Sequence, residues 1–237
     1  MKLSVIVPAY NEEKYLAATI EHIKTALWTT DEADVIVVDN ESTDATRDIA
    51  ESFGTRIISE TVHNIAAVRN SGGNNARGET LVFIDADTWV FPGLFEQIIE
   101  EMKDERCFGG SVAVQYGESN RPWIKYYLMG WQFWGRVLKM RQGAAQFCRK
   151  SAFVELGGYD TSIYMGEDIE FQWRLAKLAR SRGGRTAFVE QPRVVTSSRR
   201  YSKMGLVKTL VLTHPITIFL AWRSRSFWKD WYKNAVR

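Results

Sequence analysis

The chain has 237 residues, of which 45% are apolar and 25% are charged, with a formal net charge of +3 at pH 7. These values fit a globular chain that buries a substantial core, and they exclude wholesale disorder. The mild charge, without a block of basic residues, argues against a nucleic-acid binder. Two cysteines, Cys107 and Cys148, lie far apart without a Cys-x-x-Cys pair. They indicate buried thiols in a reducing cytoplasm rather than a disulfide framework or a zinc site.

Buried strands and amphipathic helices alternate along the first half of the chain. Short runs rich in β-branched residues predict strands at 3–7, 35–38, 57–58 and 81–84. Apolar residues at helical spacing predict helices between them. Ser42 or Thr43 offers the N-cap of the second helix. Gly72 and Gly73 weaken the prediction of the third helix, at 65–76.

This alternation predicts an α/β fold in which a mostly parallel sheet carries helices on both faces. In such sheets, ligands bind beyond the carboxyl ends of the strands. Asp39 follows the strand at 35–38, and Asp85 follows the strand at 81–84. Both acids are therefore expected to point into the ligand site. Farther along the chain we expect strands at 108–114, 144–148 and 185–189 and a helix at 167–179.

The pair Asp85 and Asp87 carries the strongest chemical signal. Two carboxylates one residue apart, just after a buried strand, can share a divalent cation that also holds two phosphate oxygens. Such an ion, Mn²⁺ or Mg²⁺, assists the departure of a nucleoside diphosphate as a Lewis acid. The alternative is a solvated turn after a strand, where Asp is common. A further acid at a strand end, Asp39, favours the metal site.

Several motifs in a fixed order resemble the family 2 glycosyltransferases. They lie at residues 4–12 (SVIVPAYNE), 37–44 (VVDNESTD), 69–70 (RN), 85–87 (DAD), 157–160 (GGYD) and 166–170 (GEDIE). The resemblance covers about residues 3–180. It implies the Rossmann-like GT-A fold, a nucleotide-diphosphate-sugar donor and inversion at the anomeric carbon, and hence a hexosyltransferase-type enzyme.

The resemblance also implies roles for individual residues. The nucleotide would be bound by Pro8, Ala9, Tyr10, Glu12, Asp39, Arg69, Asp85 and Ala86. Asp39 would accept the imino N–H of the base, which favours uracil or thymine and hence a UDP- or dTDP-linked sugar. Asp85 would reach the ribose or the metal, and Asp87 would bind the metal directly. The alternatives are an acid at a helix N-terminus for Asp39 and a surface ion pair for Arg69.

Asp168 is the candidate general base, with Glu167 beside it as the second candidate catalytic residue. Inverting transfer needs a carboxylate that removes the proton of the acceptor hydroxyl. The family resemblance assigns this role to the Asp of the Glu-Asp pair, at the point where a helix is expected to begin. Glu167 could raise the pKa of Asp168 by like-charge repulsion, or it could orient Asp168. The alternative is that both are ordinary acids at a helix start.

Two features after residue 180 stay open. The chain lacks the Gln-x-x-Arg-Trp motif of processive family members, which predicts transfer of a single sugar. Arg199, Arg200 and Tyr201 lie at a similar point and either contact phosphates or form a basic loop. His214 is either a further metal ligand or a structural residue before Pro215.

We predict one glycosyltransferase domain at 1–200 and a C-terminal apolar and amphipathic helical appendage at 201–237. Lys208 and Pro215 interrupt its apolar run, which disfavours a membrane-spanning helix. Basic and aromatic residues then alternate, as suits the lipid headgroup region. We therefore hypothesise peripheral attachment at the cytoplasmic, inner face of the membrane and a lipid-linked hydroxyl acceptor. The alternative is a core or dimer surface.

Two other functions stay open at this point. The tetrapeptide at 85–88 (DADT) also resembles the nucleophile motif of haloacid-dehalogenase-type phosphatases, although that motif normally follows the first strand. The chain could also be a nucleotide-sugar-binding module that has lost catalysis. The intact Asp87 and Asp168 argue against that second alternative.

Overall fold

The computed structural model describes residues 2–27, 33–117, 123–124, 126–130, 143–199 and 206–230. Within these residues, an eight-stranded sheet carries helices on both faces. The strands are β1 (Leu3–Ala9), β2 (Ala33–Asp39), β3 (Arg56–Ser59), β4 (Thr80–Ile84), β5 (Thr88–Trp89), β6 (Cys107–Tyr116), β7 (Ala145–Arg149) and β8 (Arg185–Thr196). The helices are α1 (Leu16–Ala26), α2 (Thr46–Ser52), α3 (Ile65–Asn75), α4 (Leu94–Lys103), α5 (Lys150–Glu155), α6 (Glu167–Ser181), α7 (Leu206–Thr213), α8 (Pro215–Ala221) and α9 (Arg225–Asp230).

The strands follow the order β3-β2-β1-β4-β7-β6-β8-β5 in the sheet. The first four run parallel, whereas β7 is antiparallel to both of its neighbours, β4 and β6. β8 is parallel to β6, and the short β5 is antiparallel to β8. The predicted α/β sheet, parallel in most of its pairings, is confirmed. The antiparallel strands β7 and β5 make it a mixed sheet.

The two faces of the sheet bury separate apolar cores. Val5 and Val7 of β1 belong to the core that also contains residues of α1, α2 and α4. Ile6, between them, belongs to the core formed with α3, α5 and α6. This alternation follows from the period of two along a strand. Because both faces are covered, the central strands consist of continuous apolar runs.

Helix α3 passes very close to its neighbours, which explains its two glycines. A Cβ atom at Gly73 would lie 2.6 Å from Cζ of Phe153, and a Cβ atom at Gly72 would collide with Ile6. The helix continues through both glycines to Asn75. Glycine lowers helix propensity, but here the packing requires its lack of a side chain.

The loop after β2 does not cap α2 in the predicted way. Ala45 occupies the N-cap position of α2 and makes no side-chain hydrogen bond. The backbone N–H groups of Ser42 and Thr43 donate to the side chains of Asp39 and Asn11 instead. The predicted N-cap is therefore wrong, because these residues tie the loop to the ends of β1 and β2.

The C-terminal helices pack against the loop that precedes α6. The backbone N–H of Tyr164 donates to the carbonyl of Trp222 at 2.7 Å, and Arg223 pairs with Asp160 at 3.0 Å. A small buried cluster around Trp228 also includes Tyr164. The predicted domain boundary stays a prediction. Among the described helices, none has the length and apolar character that crossing a membrane requires.

Candidate active site

A cavity of about 240 Å³ lies where the parallel strands end and α6 begins. The register of the sheet creates it, because Ala9 at the end of β1 pairs with Asp39 at the end of β2, while β4 ends beside them at Ile84. The segment before α3 and the first turn of α6 supply further parts of the wall. The cavity therefore occupies the carboxyl edge of the sheet, as the strand pattern predicts.

All predicted site residues except Asp39 line this cavity. They include Pro8, Ala9, Tyr10 and Glu12, the carboxylates after β4, and the acidic pair at the start of α6. Asp39 is only 5% exposed, and its carboxylate accepts a hydrogen bond from the N–H of Ser42 at 3.2 Å. Arg47 lies 3.9 Å from the same carboxylate. The neighbour of Asp39, Asn40, lines the cavity.

Arg69 is a buried bridge between the two acidic parts of the site. Its Nη2 lies 2.8 Å from Oδ1 of Asp85, and its Nη1 lies 2.5 Å from Oε1 of Glu167. The guanidinium also lies over the ring of Tyr159, 5.4 Å from its centroid. Arg69 is 3% exposed and its pair with Glu167 is buried, whereas the side chain of Asp85 is 35% exposed at the cavity wall.

Arg199 forms a second bridge, between Asp87 and Glu12. Its Nε lies 3.1 Å from Oδ2 of Asp87, and its Nη2 lies 2.5 Å from Oε1 of Glu12. Its guanidinium carbon lies 4.5 Å from the centroid of the Tyr15 ring. Arg199 thus takes part in the site through ion pairs, whereas Arg200 and Tyr201 lie outside the described residues.

Glu12 is a buried carboxylate of which one oxygen, Oε2, accepts no hydrogen bond from the described residues. Burial raises its pKa to about 7, although the hydrogen bond and the charge of Arg199 oppose the rise. Its Oε2 is buried and has no hydrogen-bond partner among the described residues. An unsatisfied buried acceptor on a cavity wall is a suitable contact for a ligand hydroxyl or N–H group.

Asp168 lies at the other end of the cavity, in the first turn of α6. Desolvation raises its pKa to about 7, and the neighbouring charge of Glu167 adds to the rise while Arg69 opposes it. The side chain has little room, because a Cβ atom at Gly143 would lie 2.5 Å from its Oδ2. Gln146 donates to its backbone carbonyl at 3.2 Å. Asp168 is therefore a tightly held carboxyl group that changes charge near neutral pH.

Several wall residues were not among the predicted ones: Asn40, His63, Asn64, Tyr164 and Met165. Asn40 stands in the family motif at 37–44. Asn64 carries a local signal, since an Asn directly before an apolar helical segment is a typical N-cap. The Oδ1 of Asn64 accepts from the N–H groups of Ala66 and Ala67. His63, Tyr164 and Met165 come from loops whose course is set by the fold.

His214 makes a structural contact at the start of α8. Its Nδ1 accepts from the N–H of Ile216 at 3.3 Å and so caps α8. It is not a wall residue of the cavity.

Asp85 and Asp87 can hold a divalent ion together with ligands from outside the chain. Within the described ranges, no group of three or more His, Cys, Asp or Glu residues could hold a metal ion. Mg²⁺ and Mn²⁺ commonly take one or two carboxylates and complete their shell with water and substrate phosphates. Two carboxylates on the wall of one cavity fit that arrangement.

The sequence matches known proteins over the part that includes the cavity-wall residues from Pro8 to Asp87. The family model described as Glycosyl transferase family 2 matches residues 4–157. The chain is 35% identical over 108 residues to EpsH of Bacillus subtilis (strain 168). The aligned part covers 44% of this chain and 31% of EpsH. It is 34% identical over 96 residues to the poly(ribitol-phosphate) beta-N-acetylglucosaminyltransferase TarS of Staphylococcus aureus (strain Mu50 / ATCC 700699), covering 38% and 17%. The matches thus span less than a third of the length of these relatives.

Solved structures show the same fold. The mannosyltransferase PcManGT from Pyrobaculum calidifontis, in complex with GDP-Man and Mn²⁺, matches with a TM-score of 0.65 at 22% identity, covering 82% of this chain and 56% of that one. TarS 1–349 of S. aureus, in complex with UDP-GlcNAc, matches with a TM-score of 0.64 at 17% identity, covering 100% and 76%. The predicted GT-A fold is confirmed. Because the family model matches well over half of its residues, the chain belongs to glycosyltransferase family 2.

Proposed function

We propose that this chain transfers one sugar at a time from a nucleotide-diphosphate sugar to a hydroxyl acceptor, with inversion at the anomeric carbon. The observation that carries the proposal is the convergence of five carboxylates and two guanidiniums on one cavity at the carboxyl edge of the sheet. Membership of family 2 supports it. The complexes of PcManGT with GDP-Man and of TarS with UDP-GlcNAc support a nucleotide sugar as the donor.

The charge of the cavity supports a metal-dependent reaction. With every carboxylate ionised, the five acids and two arginines of the wall leave three negative charges in excess. A diphosphate is itself an anion, so it enters such a cavity more readily with a divalent cation. We propose that Asp85 and Asp87 hold Mn²⁺ or Mg²⁺. When bound, the ion supplies Lewis-acid stabilisation of the departing diphosphate.

Asp168 is the proposed general base. As the acceptor oxygen forms its bond to the anomeric carbon, the bond from that carbon to the phosphate oxygen breaks, and the nucleoside diphosphate leaves. The acceptor proton moves to the carboxylate of Asp168. Its pKa of about 7 leaves it ionised in a large fraction of molecules at neutral pH while keeping it basic enough to accept a proton. The ion pair with Arg69 holds the carboxylate of Glu167, the residue next to Asp168, in place.

The nucleotide is proposed to lie against Pro8, Ala9 and Tyr10, and Glu12 is proposed to receive a ribose hydroxyl. The buried, unpartnered Oε2 of Glu12 supports that contact. The contact between Asp39 and the nucleotide base stays a prediction. In the structure, the Asp39 carboxylate accepts a hydrogen bond from the loop after β2.

Calorimetric titration tests the donor site. UDP, dTDP and GDP are titrated with and without Mn²⁺ or Mg²⁺ into the wild type, Asp87→Ala and Asp48→Ala. Asp48 is an exposed acid on α2 outside the cavity, so its removal controls for the loss of one charge. We expect metal-dependent binding of one diphosphate that disappears in Asp87→Ala and persists in Asp48→Ala. If no diphosphate binds under any metal condition, the proposal is wrong. NMR of the product anomer then tests inversion.

We propose further that the acceptor is carried on a lipid and that the chain acts at the inner membrane surface. Support comes from exposed apolar side chains on α7 and α8: Leu206, Leu210, Val211, Ile216 and Leu220. The basic residues Lys208, Arg223 and Arg225 are also exposed, and residues 203–229 include no acidic residue. Apolar and basic groups together suit an anionic lipid surface. Tyr164 joins this part of the chain to the cavity wall.

Sedimentation with vesicles tests this second proposal. We expect binding to vesicles of phosphatidylcholine with phosphatidylglycerol, and much weaker binding to phosphatidylcholine alone. Leu220→Glu should weaken the binding, whereas Val62→Glu, at an exposed apolar residue outside the C-terminal helices, should not. Absence of binding to the anionic vesicles would overturn the attachment and leave the donor site unaffected.

Neither alternative function gains support. The DADT motif follows β4, the fourth strand along the chain, whereas a phosphatase nucleophile normally follows the first strand. The candidate base, Asp168, lies in the same cavity as the candidate metal ligands, which argues against a module that has lost catalysis.

A further inference from the structure

Arg199 contacts one carboxylate oxygen of Asp87, the candidate metal ligand. Its Nε contacts Oδ2 of Asp87 at 3.1 Å, while Thr196 lies 3.4 Å from the other oxygen, Oδ1. The second anchor of the guanidinium is Glu12, at 2.5 Å. The side chains of Arg199, Asp87 and Glu12 are 14%, 17% and 7% exposed. Water and salt therefore weaken these ion pairs less than they weaken pairs on the surface.

A guanidinium and a divalent cation compete for this carboxylate. Both need the lone pairs of a carboxylate oxygen at close range, and both are positive, so they repel each other at such distances. We propose that Arg199 is a resident counter-ion of Asp87 that a divalent cation must displace, so that Arg199 positions Asp87 and weakens metal binding in the absence of the donor. This inference rests on the proposed metal site at Asp85 and Asp87.

The displacement couples the metal to the donor. Once Asp87 binds the metal, Arg199 loses one of its two ion pairs, and nothing replaces that contact when the metal binds alone. A diphosphate brings oxygen acceptors that suit a guanidinium well, and it brings them together with the metal. Metal and nucleoside diphosphate should therefore each strengthen the binding of the other, since such coupling is reciprocal.

The sign of one affinity change distinguishes this role from simple support of the metal site. If Arg199 only holds Asp87 in the correct place, its removal weakens metal binding. If Arg199 competes with the metal, removal of its charge tightens metal binding when no nucleotide is present. Electron paramagnetic resonance of free Mn²⁺ measures this affinity directly and does not depend on turnover.

The variants are Arg199→Gln, Arg199→Lys and the control Arg182→Gln. Arg182 forms an exposed ion pair with Glu155 outside the cavity, so the control removes one positive charge without touching the site. Measurements at pH 8 keep Glu12 ionised, because burial raises its pKa to about 7. We expect Arg199→Gln to bind Mn²⁺ about 10-fold more tightly than the wild type, a typical size for coupling between two sites. Arg199→Lys should fall between them, and Arg182→Gln should match the wild type.

Addition of UDP completes the test. UDP should strengthen Mn²⁺ binding in the wild type, and this gain should be smaller in Arg199→Gln. The proposed displacement of Arg199 by the metal is wrong if a folded Arg199→Gln binds Mn²⁺ as tightly as the wild type or more weakly. It is also wrong if neither the wild type nor Arg199→Gln binds Mn²⁺. Arg199→Lys, which keeps the charge, provides the comparison should Arg199→Gln fail to fold. The proposed function is tested separately, because it fails when no nucleoside diphosphate binds to the wild type under any metal condition.

Discussion

Replacing Gly143 with alanine should displace the proposed base and leave the nucleotide part of the site intact. A Cβ atom at Gly143 would lie 2.5 Å from both Cβ and Oδ2 of Asp168. Favourable contacts between such atoms begin at about 3.5 Å, so the Asp168 side chain must move by about 1 Å. A displacement of about 1 Å in a catalytic group costs on the order of 100-fold in rate. We therefore expect kcat to fall about 100-fold.

Two measurements and one control variant complete this test. Release of nucleoside diphosphate in the presence of acceptor gives kcat, and calorimetry gives the affinity for the nucleotide, which should not change. Gly130→Ala is the matched control, because a Cβ atom at Gly130 meets no atom of the described residues within 4 Å. Thermal unfolding establishes that both variants fold. An unchanged kcat in folded Gly143→Ala would refute the assignment of Asp168 as the base.

Three further predictions concern Asp168, Asn64 and Gly73. Burial and Glu167 raise the pKa of Asp168 to about 7, and the base must be ionised, so kcat/KM should rise with pH through about 7 and then level off. Asp168→Asn should lower the rate by at least about 100-fold and remove this rise. Asn64→Ala removes the cap of α3 and should lower the free energy of unfolding by about 1 kcal/mol in a denaturant titration, whereas Asn75→Ala, at the exposed end of α3, should lower it less. Gly73→Ala forces a Cβ atom against Phe153 and should cost about 1–3 kcal/mol of stability, unlike Gly130→Ala.

The parts of the fold that depend on local sequence are predictable, and the parts that depend on distant contacts are not. The seven longer strands follow from short apolar runs, most clearly β1 and β4, which are buried on both faces. The direction of β7 does not follow from its own sequence, since it is set by its position between β4 and β6. β5 has only two residues and pairs with β8, so no local pattern marks it.

The same distinction applies to the site. Its acidic residues are predictable, because they stand at strand ends and in ordered family motifs. Their partners are not, since Arg69 lies 98 residues from Glu167 and Arg199 lies 187 residues from Glu12. No spacing rule connects residues so far apart, and only the folded chain selects these pairs from its many charged residues. The loops that supply His63, Tyr164 and Met165 are unpredictable for the same reason.

The two arginine bridges explain how five carboxylates in one cavity can have different roles. Arg69 contacts Asp85 and Glu167 and thereby links the carboxylates after β4 to the start of α6. Asp168 and Glu12 both have pKa values of about 7, so the pKa alone cannot identify the base. Geometry separates them, because Glu12 is fixed by Arg199 beside the candidate metal ligand Asp87. If Glu12 were the base, it would have to accept the proton while paired with Arg199. Asp168 stands instead at the start of α6, next to Glu167, which pairs with Arg69. The proton of the acceptor is therefore expected to move to Asp168, and the loss of activity in Asp168→Asn should exceed that in Glu12→Gln.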